Sequence, residues 1–88
     1  MRHPERIVPD KSAFETGVEV SYLRYDSLEE LLMGVAKGLK DQVEKDLETG
    51  KPKLAKLGMK TAIKLREITP LVREMWKIAE PHMRETEK

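Results

Sequence analysis

Residues 47–54 read Leu47-Glu48-Thr49-Gly50-Lys51-Pro52-Lys53-Leu54, and this stretch decides how the chain is arranged. Glycine enters the left-handed conformation that ends a helix without a Cβ clash. Proline has its φ preset for a first helical turn and no N–H to leave unbonded. Gly50 followed by Pro52 therefore predicts one helix ending and another beginning within a few residues. So short a link makes the two helices antiparallel neighbours.

Working back from the turn, Leu28, Leu31, Leu32, Val35, Leu39, Val43 and Leu47 recur at steps of three and four. They form one apolar stripe that must be buried, with Glu29, Lys37, Lys40, Asp41, Glu44 and Lys45 mostly outside it. Ser27-Leu28-Glu29-Glu30 has the S-x-x-E form in which a hydroxyl and a carboxylate satisfy the first backbone donors, so the helix is expected over about residues 27–48. Gly34 and Gly38 stand four apart inside it. Each costs about 1 kcal/mol relative to alanine, which points either to a close backbone approach or to a slightly weak helix.

Forward from the turn, Leu54, Gly58, Thr61, Leu65, Ile68, Val72, Met75 and Ala79 alternate steps of four and three, the period of a helix-packing seam, and Leu57 and Trp76 widen it. A helix over about residues 52–80 follows, interrupted in its hydrogen bonding at Pro70. Either the helix bends there, or it stops and restarts with Thr69 as cap and Pro70 in the first turn. Pro81 is expected near the end of regular structure, with residues 84–88 frayed.

The first 25 residues are less determined. Val18-Glu19-Val20-Ser21-Tyr22-Leu23 alternates apolar and polar positions and suggests a strand, which would need a partner such as Arg6-Ile7-Val8 or a second subunit. An extended arm laid over the helices is the other reading. The fold class expected is mainly α: one domain, with an N-terminal arm or short β element over residues 1–25. An antiparallel helical hairpin with a kink or break at Pro70 occupies residues 26–88.

The 88 residues include 39% hydrophobic and 38% charged side chains, enough apolar content for a packed core and too much for whole-chain disorder. Cysteine is absent, which removes disulfides, thiolate metal sites and cysteine nucleophiles together. Residues 1–11 lack the apolar run of a secretory leader, and no stretch reaches membrane-spanning length, so a soluble cytoplasmic protein is expected. The small net charge hides an asymmetry. Residues 1–50 carry seven basic against eleven acidic side chains, a net of −4, and residues 51–88 carry ten against five, a net of +5.

At 100° per residue, Lys53, Lys56, Lys60 and Lys64 share one flank of the second helix, while Arg66, Arg73 and Lys77 fall on the other. Such cations suit phosphates spaced along a nucleic-acid backbone. They also suit a solvated helix surface paired with Asp41, Glu44, Asp46 and Glu48, the commoner use of such residues in helical bundles. His3 and His82 lie at opposite ends of the chain without spaced companions, so no metal site is expected. Glu29-Glu30 carries no sign of the burial that acid–base catalysis requires, and no catalytic residue, cofactor or small-molecule substrate is implied. Gly34-Val35-Ala36-Lys37-Gly38-Leu39-Lys40 lacks the spacing of a phosphate loop and sits within a helix. Of the few aromatic side chains, Trp76 projects toward the seam as core. Tyr22 or Tyr25 would stack on bases only from an open strand.

Leu39-Lys40-Asp41-Gln42-Val43-Glu44-Lys45, then Gly50 and then Lys60, Leu65, Ile68, Val72 and Arg73, resembles the chlamydial histone-like (linker-histone-like) family of small DNA-binding proteins of bacteria and phages, over about residues 39–79. The resemblance implies a non-enzymatic helical hairpin that compacts DNA through basic side chains with little sequence preference, which would place it at the nucleoid. The expected function is accordingly nucleic-acid association. The alternative is a protein-interaction or assembly subunit, regulatory or structural and of cellular or phage origin, with no nucleic-acid role. Two helices bury too little for a chain with neither disulfide nor metal, so a homodimer or higher oligomer is expected on either reading. Its interface would draw on Leu54, Leu65, Ile68, Val72, Met75 and Trp76.

Overall fold

The computed structural model describes residues 3–86. Among them are three helices and no strand: α1 (Ala13–Ser21), α2 (Tyr25–Glu48) and α3 (Pro52–Thr86). The chain is mainly α, and α2 and α3 form the antiparallel hairpin.

The turn forms as its residues dictate. Gly50 has φ of 76°, the Lys51 N–H donates to the Asp46 carbonyl at 2.7 Å, and the Gly50 N–H donates to that of Leu47 at 3.2 Å. This pair of reverse bonds satisfies carbonyls that the end of α2 would otherwise leave open. The Thr49 hydroxyl adds a bond to the Lys45 carbonyl at 2.9 Å, and Pro52 opens α3.

Two local expectations are corrected. The strand expected over residues 18–23 is largely the C-terminal half of α1. Ser12-Ala13-Phe14-Glu15 is itself an S-x-x-E box: the Glu15 N–H donates to Ser12 Oγ at 3.1 Å, and the Ser12 N–H donates to the Glu15 carboxylate at 3.3 Å. That reciprocal cap fixes a helix before the β-branched Val18 and Val20 have a neighbouring strand to favour the extended form. Arg6-Ile7-Val8 pairs with nothing as a strand. The second correction concerns α2, which starts at Tyr25, three residues before the position at which a Ser27 cap would place it. Arg24 is the N-cap and no side chain makes a cap bond. Inside the first turn the Asp26 carboxylate accepts from the Ser27 N–H at 2.9 Å and binds the Arg24 guanidinium through two bonds of 2.7 and 2.9 Å. The bond from Arg24 holds the Asp26 carboxyl below the usual carboxylate range.

Helix α3 continues through both Pro70 and Pro81, so the stop and restart at Thr69 does not occur, and the helix extends beyond Arg84 to Thr86. Pro70 removes the N–H that would bond the Arg66 carbonyl. Thr69, largely buried, donates its hydroxyl to that same carbonyl at 2.9 Å. The side chain of one residue thus replaces the backbone donor lost at the next.

The seam of α3 is turned by one residue from the expected one at half of its positions. Ala55, Ala62 and Thr69 face α2 in place of Leu54, Thr61 and Ile68, and Trp76, expected to widen the seam, is more buried than Met75. Gly58, Leu65, Val72 and Ala79 keep their places, and Leu57, also expected to widen the seam, is 62% exposed. One residue is a rotation of about 100°. Small side chains carry the contact: Ala36 and Ala55 are each 2% exposed and Ala62 is 3% exposed. A Cβ on Gly58 would lie 3.1 Å from Val43 Cγ2. Of the two readings for Gly34 and Gly38, the slightly weak helix holds, since nothing lies within 4 Å of a Cβ at either, and the close approach is made at Gly58.

The result is a flat plate. The chain extends 54 × 31 × 14 Å with a radius of gyration of 16.1 Å, against about 12 Å for a compact domain of this length. Its thinnest dimension barely exceeds one helix diameter of about 10–12 Å. The accessible surface of 7401 Å² compares with about 5300 Å² for a compact monomer of equal mass.

Candidate interaction surfaces

Helix α3 begins with an uninterrupted run of one sign. Between residues 51 and 66 stand Lys51, Lys53, Lys56, Lys60, Lys64 and Arg66 without an acidic side chain. Cations in the first turn of a helix oppose its dipole, so Lys51 and Lys53, at the start of the run, stand against the local electrostatic preference of α3.

The cations assigned to two flanks divide by partner. Arg73 pairs with Glu29 across the hairpin at 2.8 Å, Lys77 with Glu74 at 3.3 Å and Lys64 with Glu67 at 3.7 Å. Lys53, Lys56, Lys60 and Arg66 have no carboxylate within ion-pair distance among the described residues. The acidic end of α2 does not neutralise them. Its Asp41 binds Lys37 at 2.8 Å, one turn away, which raises the Lys37 ammonium above its ordinary range.

One face of the hairpin gathers these groups around an apolar groove. Toward the turn its floor is Val43, Leu47, Ala55, Met59 and Ile63, with Lys56, Lys60 and Lys64 along the α3 side. It continues past the shared Met59 and Ile63 to Met33, Ala36 and Ala62, bordered by Lys37, Lys40, Arg66 and Arg73. Cations expected on opposite flanks thus converge on one groove, whereas Lys53 and Lys77 lie outside it. Reading the stripe one residue out of register concealed this, because rotation by about 100° carries a flank residue onto the face.

Elsewhere charges of both signs mix, as around Leu54, where Lys45 and Lys51 stand with Asp46 and Glu48. Leu54, Ile68 and Met75, expected at an oligomer interface, are 53%, 42% and 43% exposed. Leu65 and Trp76 are half-buried, and Val72 is consumed within the hairpin. The Arg24 guanidinium lies 5.2 Å from the centroid of the Trp76 ring, a cation–π distance. His3 lies beside Leu39, Leu54 and Gly58. His82 lies at the other end of the hairpin, beside Tyr22 and Ile78. No group of metal-ligating side chains occurs among the described residues.

Tyr22 is exposed at the end of α1, beside Ile78 and His82. It stands well away from the basic run of α3, so the aromatic and cationic features do not combine into a base-stacking platform. No helix among the described residues is long and apolar enough to cross a membrane. Comparison with protein-family models, curated proteins and solved structures gives no match.

Proposed function

We propose that this chain is a non-enzymatic assembly subunit whose hairpin completes its core against further protein. One observation carries the reading: the buried contact between α2 and α3 is made by Ala36, Ala55 and Ala62 with Val43 and Val72, while Leu54, Leu57, Ile63, Ile68 and Leu71 stand between 42% and 65% exposed. A monomer gains most by burying its largest apolar side chains, so the reverse distribution marks a plate with a layer still to be added. The magnitude agrees. The surface excess over a compact monomer is about 2100 Å², within the roughly 1000–2500 Å² that each chain of an obligate homodimer buries. Sedimentation velocity at micromolar concentration tests this. A dimer or larger species is expected, and a stable monomer would overturn it.

A second reading, association with nucleic acid through Lys53, Lys56, Lys60, Lys64, Arg66, Arg73 and Lys77, is favoured by the acid-free run of α3 and by the resemblance to the chlamydial histone-like family. Gel shift of random-sequence duplex across a salt series tests it, since affinity from phosphate contacts rises steeply as salt falls. Absence of a shift at low salt ends it. Charge reversal at Lys56 and Lys60 separates the two readings. Lost duplex binding by an intact oligomer favours nucleic acid, and dissociation of the oligomer favours assembly. On either reading the protein acts in the cytoplasm, at the nucleoid if the second holds.

A further inference from the structure

We propose that the cation-rimmed groove of the hairpin receives helix α1 of a second copy of this chain. The proposal rests on the assembly reading and names the segment that each copy contributes at the groove, where Ile63 is the exposed large side chain that α1 would cover.

Helix α1 is formed but unused. Its capping box sets it as a helix, yet none of its residues is buried. Phe14 and Tyr22 are each 81% exposed and Val18 is 40% exposed. They stand at i, i+4 and i+8, so they form one stripe along α1 and its C-cap. That is the anchor spacing with which an amphipathic helix enters an apolar groove. Because the helix is already capped, its ordering cost is met before docking.

Charge selects the same partner. Glu15 and Glu19 both lie in α1, about 100–140° round from Phe14, and so border one side of the stripe. Glu19 pairs with Lys11 of its own chain, an exposed contact that costs little to exchange for a rim cation. The groove offers Lys56, Lys60 and Arg66 without carboxylate partners among the described residues. Seating the stripe on Met59 and Ile63 brings the acids of α1 to that rim. The one acidic side chain lining the groove is Glu67, and Lys64 already faces it at 3.7 Å.

Length keeps the chain's own α1 from the turn half of the groove, so only a second copy can run the stripe from Met59 and Ile63 on toward Val43 and Leu47. Tyr22 sits three residues before α2, and Phe14 lies about 12 Å from it along a helix. Val43 is 18 residues into α2 from Tyr25, or about 27 Å. The nine residues of α1 span about 14 Å. The groove follows α3 from Pro52 to Arg73, about 32 Å, and holds the segment with room to spare. A reciprocal exchange, each α1 seated on the other hairpin, gives a closed two-fold pair.

Because the chain has no cysteine, single cysteines report the contact without background. Val18→Cys and Ile63→Cys are made in separate full-length chains, mixed in equal amounts, oxidised mildly and resolved by mass. A disulfide-linked heterodimer is expected, with about one-tenth or less of that yield when Val35→Cys, outside the groove, replaces Ile63→Cys. Phe14→Ala is expected to weaken self-association about tenfold or more with unchanged helical circular dichroism. Lys60→Glu is expected to weaken it and Glu19→Lys to restore it in the same chain. An oligomer in which Val18→Cys links as readily to Val35→Cys as to Ile63→Cys, or to neither, overturns this docking while leaving the assembly reading in place. A monomer by sedimentation overturns both.

Discussion

Thr69 and Pro70 make a coupled pair whose coupling has a sign and a size. Pro70 leaves the Arg66 carbonyl without its helical N–H, and the Thr69 hydroxyl donates to that oxygen at 2.9 Å from a side chain that is 8% exposed. Thr69→Val keeps the shape and the branching at Cβ and removes only the donor, so helix propensity and packing change little. The carbonyl then loses its replacement partner in a part-buried setting, which costs about 1 kcal/mol. For a chain of this length that is a fall in Tm of roughly 4–8 °C. Pro70→Ala returns a backbone N–H to position 70, which bonds the same carbonyl and makes the hydroxyl redundant. In that background Thr69→Val is expected to cost only a few tenths of a kcal/mol, leaving a coupling of about 1 kcal/mol across the double-mutant cycle. Urea denaturation followed by circular dichroism at one fixed chain concentration reads all four proteins, the fixed concentration keeping any self-association term constant. An equal cost of Thr69→Val with proline and with alanine at position 70 would refute the substitution of one donor for another.

Three further outcomes follow from particular contacts. Gly34→Ala and Gly38→Ala, with open space at Cβ, are each expected to raise unfolding free energy by about 1 kcal/mol. Gly58→Leu, forced against Val43, is expected to lower it by about 1–3 kcal/mol, and the ranking is read from urea midpoints. Gly50→Ala places a Cβ on a residue with φ of 76° and is expected to cost about 1 kcal/mol in the same assay. Asp26 has its folded pKa lowered by Arg24, so its contribution is present above the ordinary carboxylate range and is lost as pH falls through the folded value. Asp26→Asn is therefore expected to flatten the fall in Tm on acidification below about pH 4, and an unchanged acid slope would count against the pairing.

Parts of this fold are legible in the chain because they depend on residues within a few positions of one another. The Gly50–Pro52 turn, the two long helices and their antiparallel arrangement follow from backbone preferences and a three–four apolar step. The box at Ser12 and Glu15 is just as local, and it was hidden by the alternation of Val18, Val20 and Tyr22, which satisfies a period of two without a second strand to pair with. Of the two S-x-x-E boxes, the one at Ser27 falls inside α2, whose first turn begins at Tyr25 and where the Asp26 carboxylate accepts from the Ser27 N–H.

The groove belongs to the other category. Leu54, Thr61, Ile68 and Met75 keep the same step as Ala55, Ala62, Thr69 and Trp76, so periodicity alone supports either stripe as the inner one. The choice is made by how closely two backbones can approach: Ala36, Ala55, Ala62 and Gly58 admit the opposite helix where leucine and methionine would hold it away. That rotation collects Lys56, Lys60, Lys64, Arg66 and Arg73 on one face and leaves the large aliphatics outward. Local preferences along the chain set which segments are helical and where they turn. Which face is inside depends on atoms dozens of residues apart meeting, a relation that exists only once the hairpin has closed.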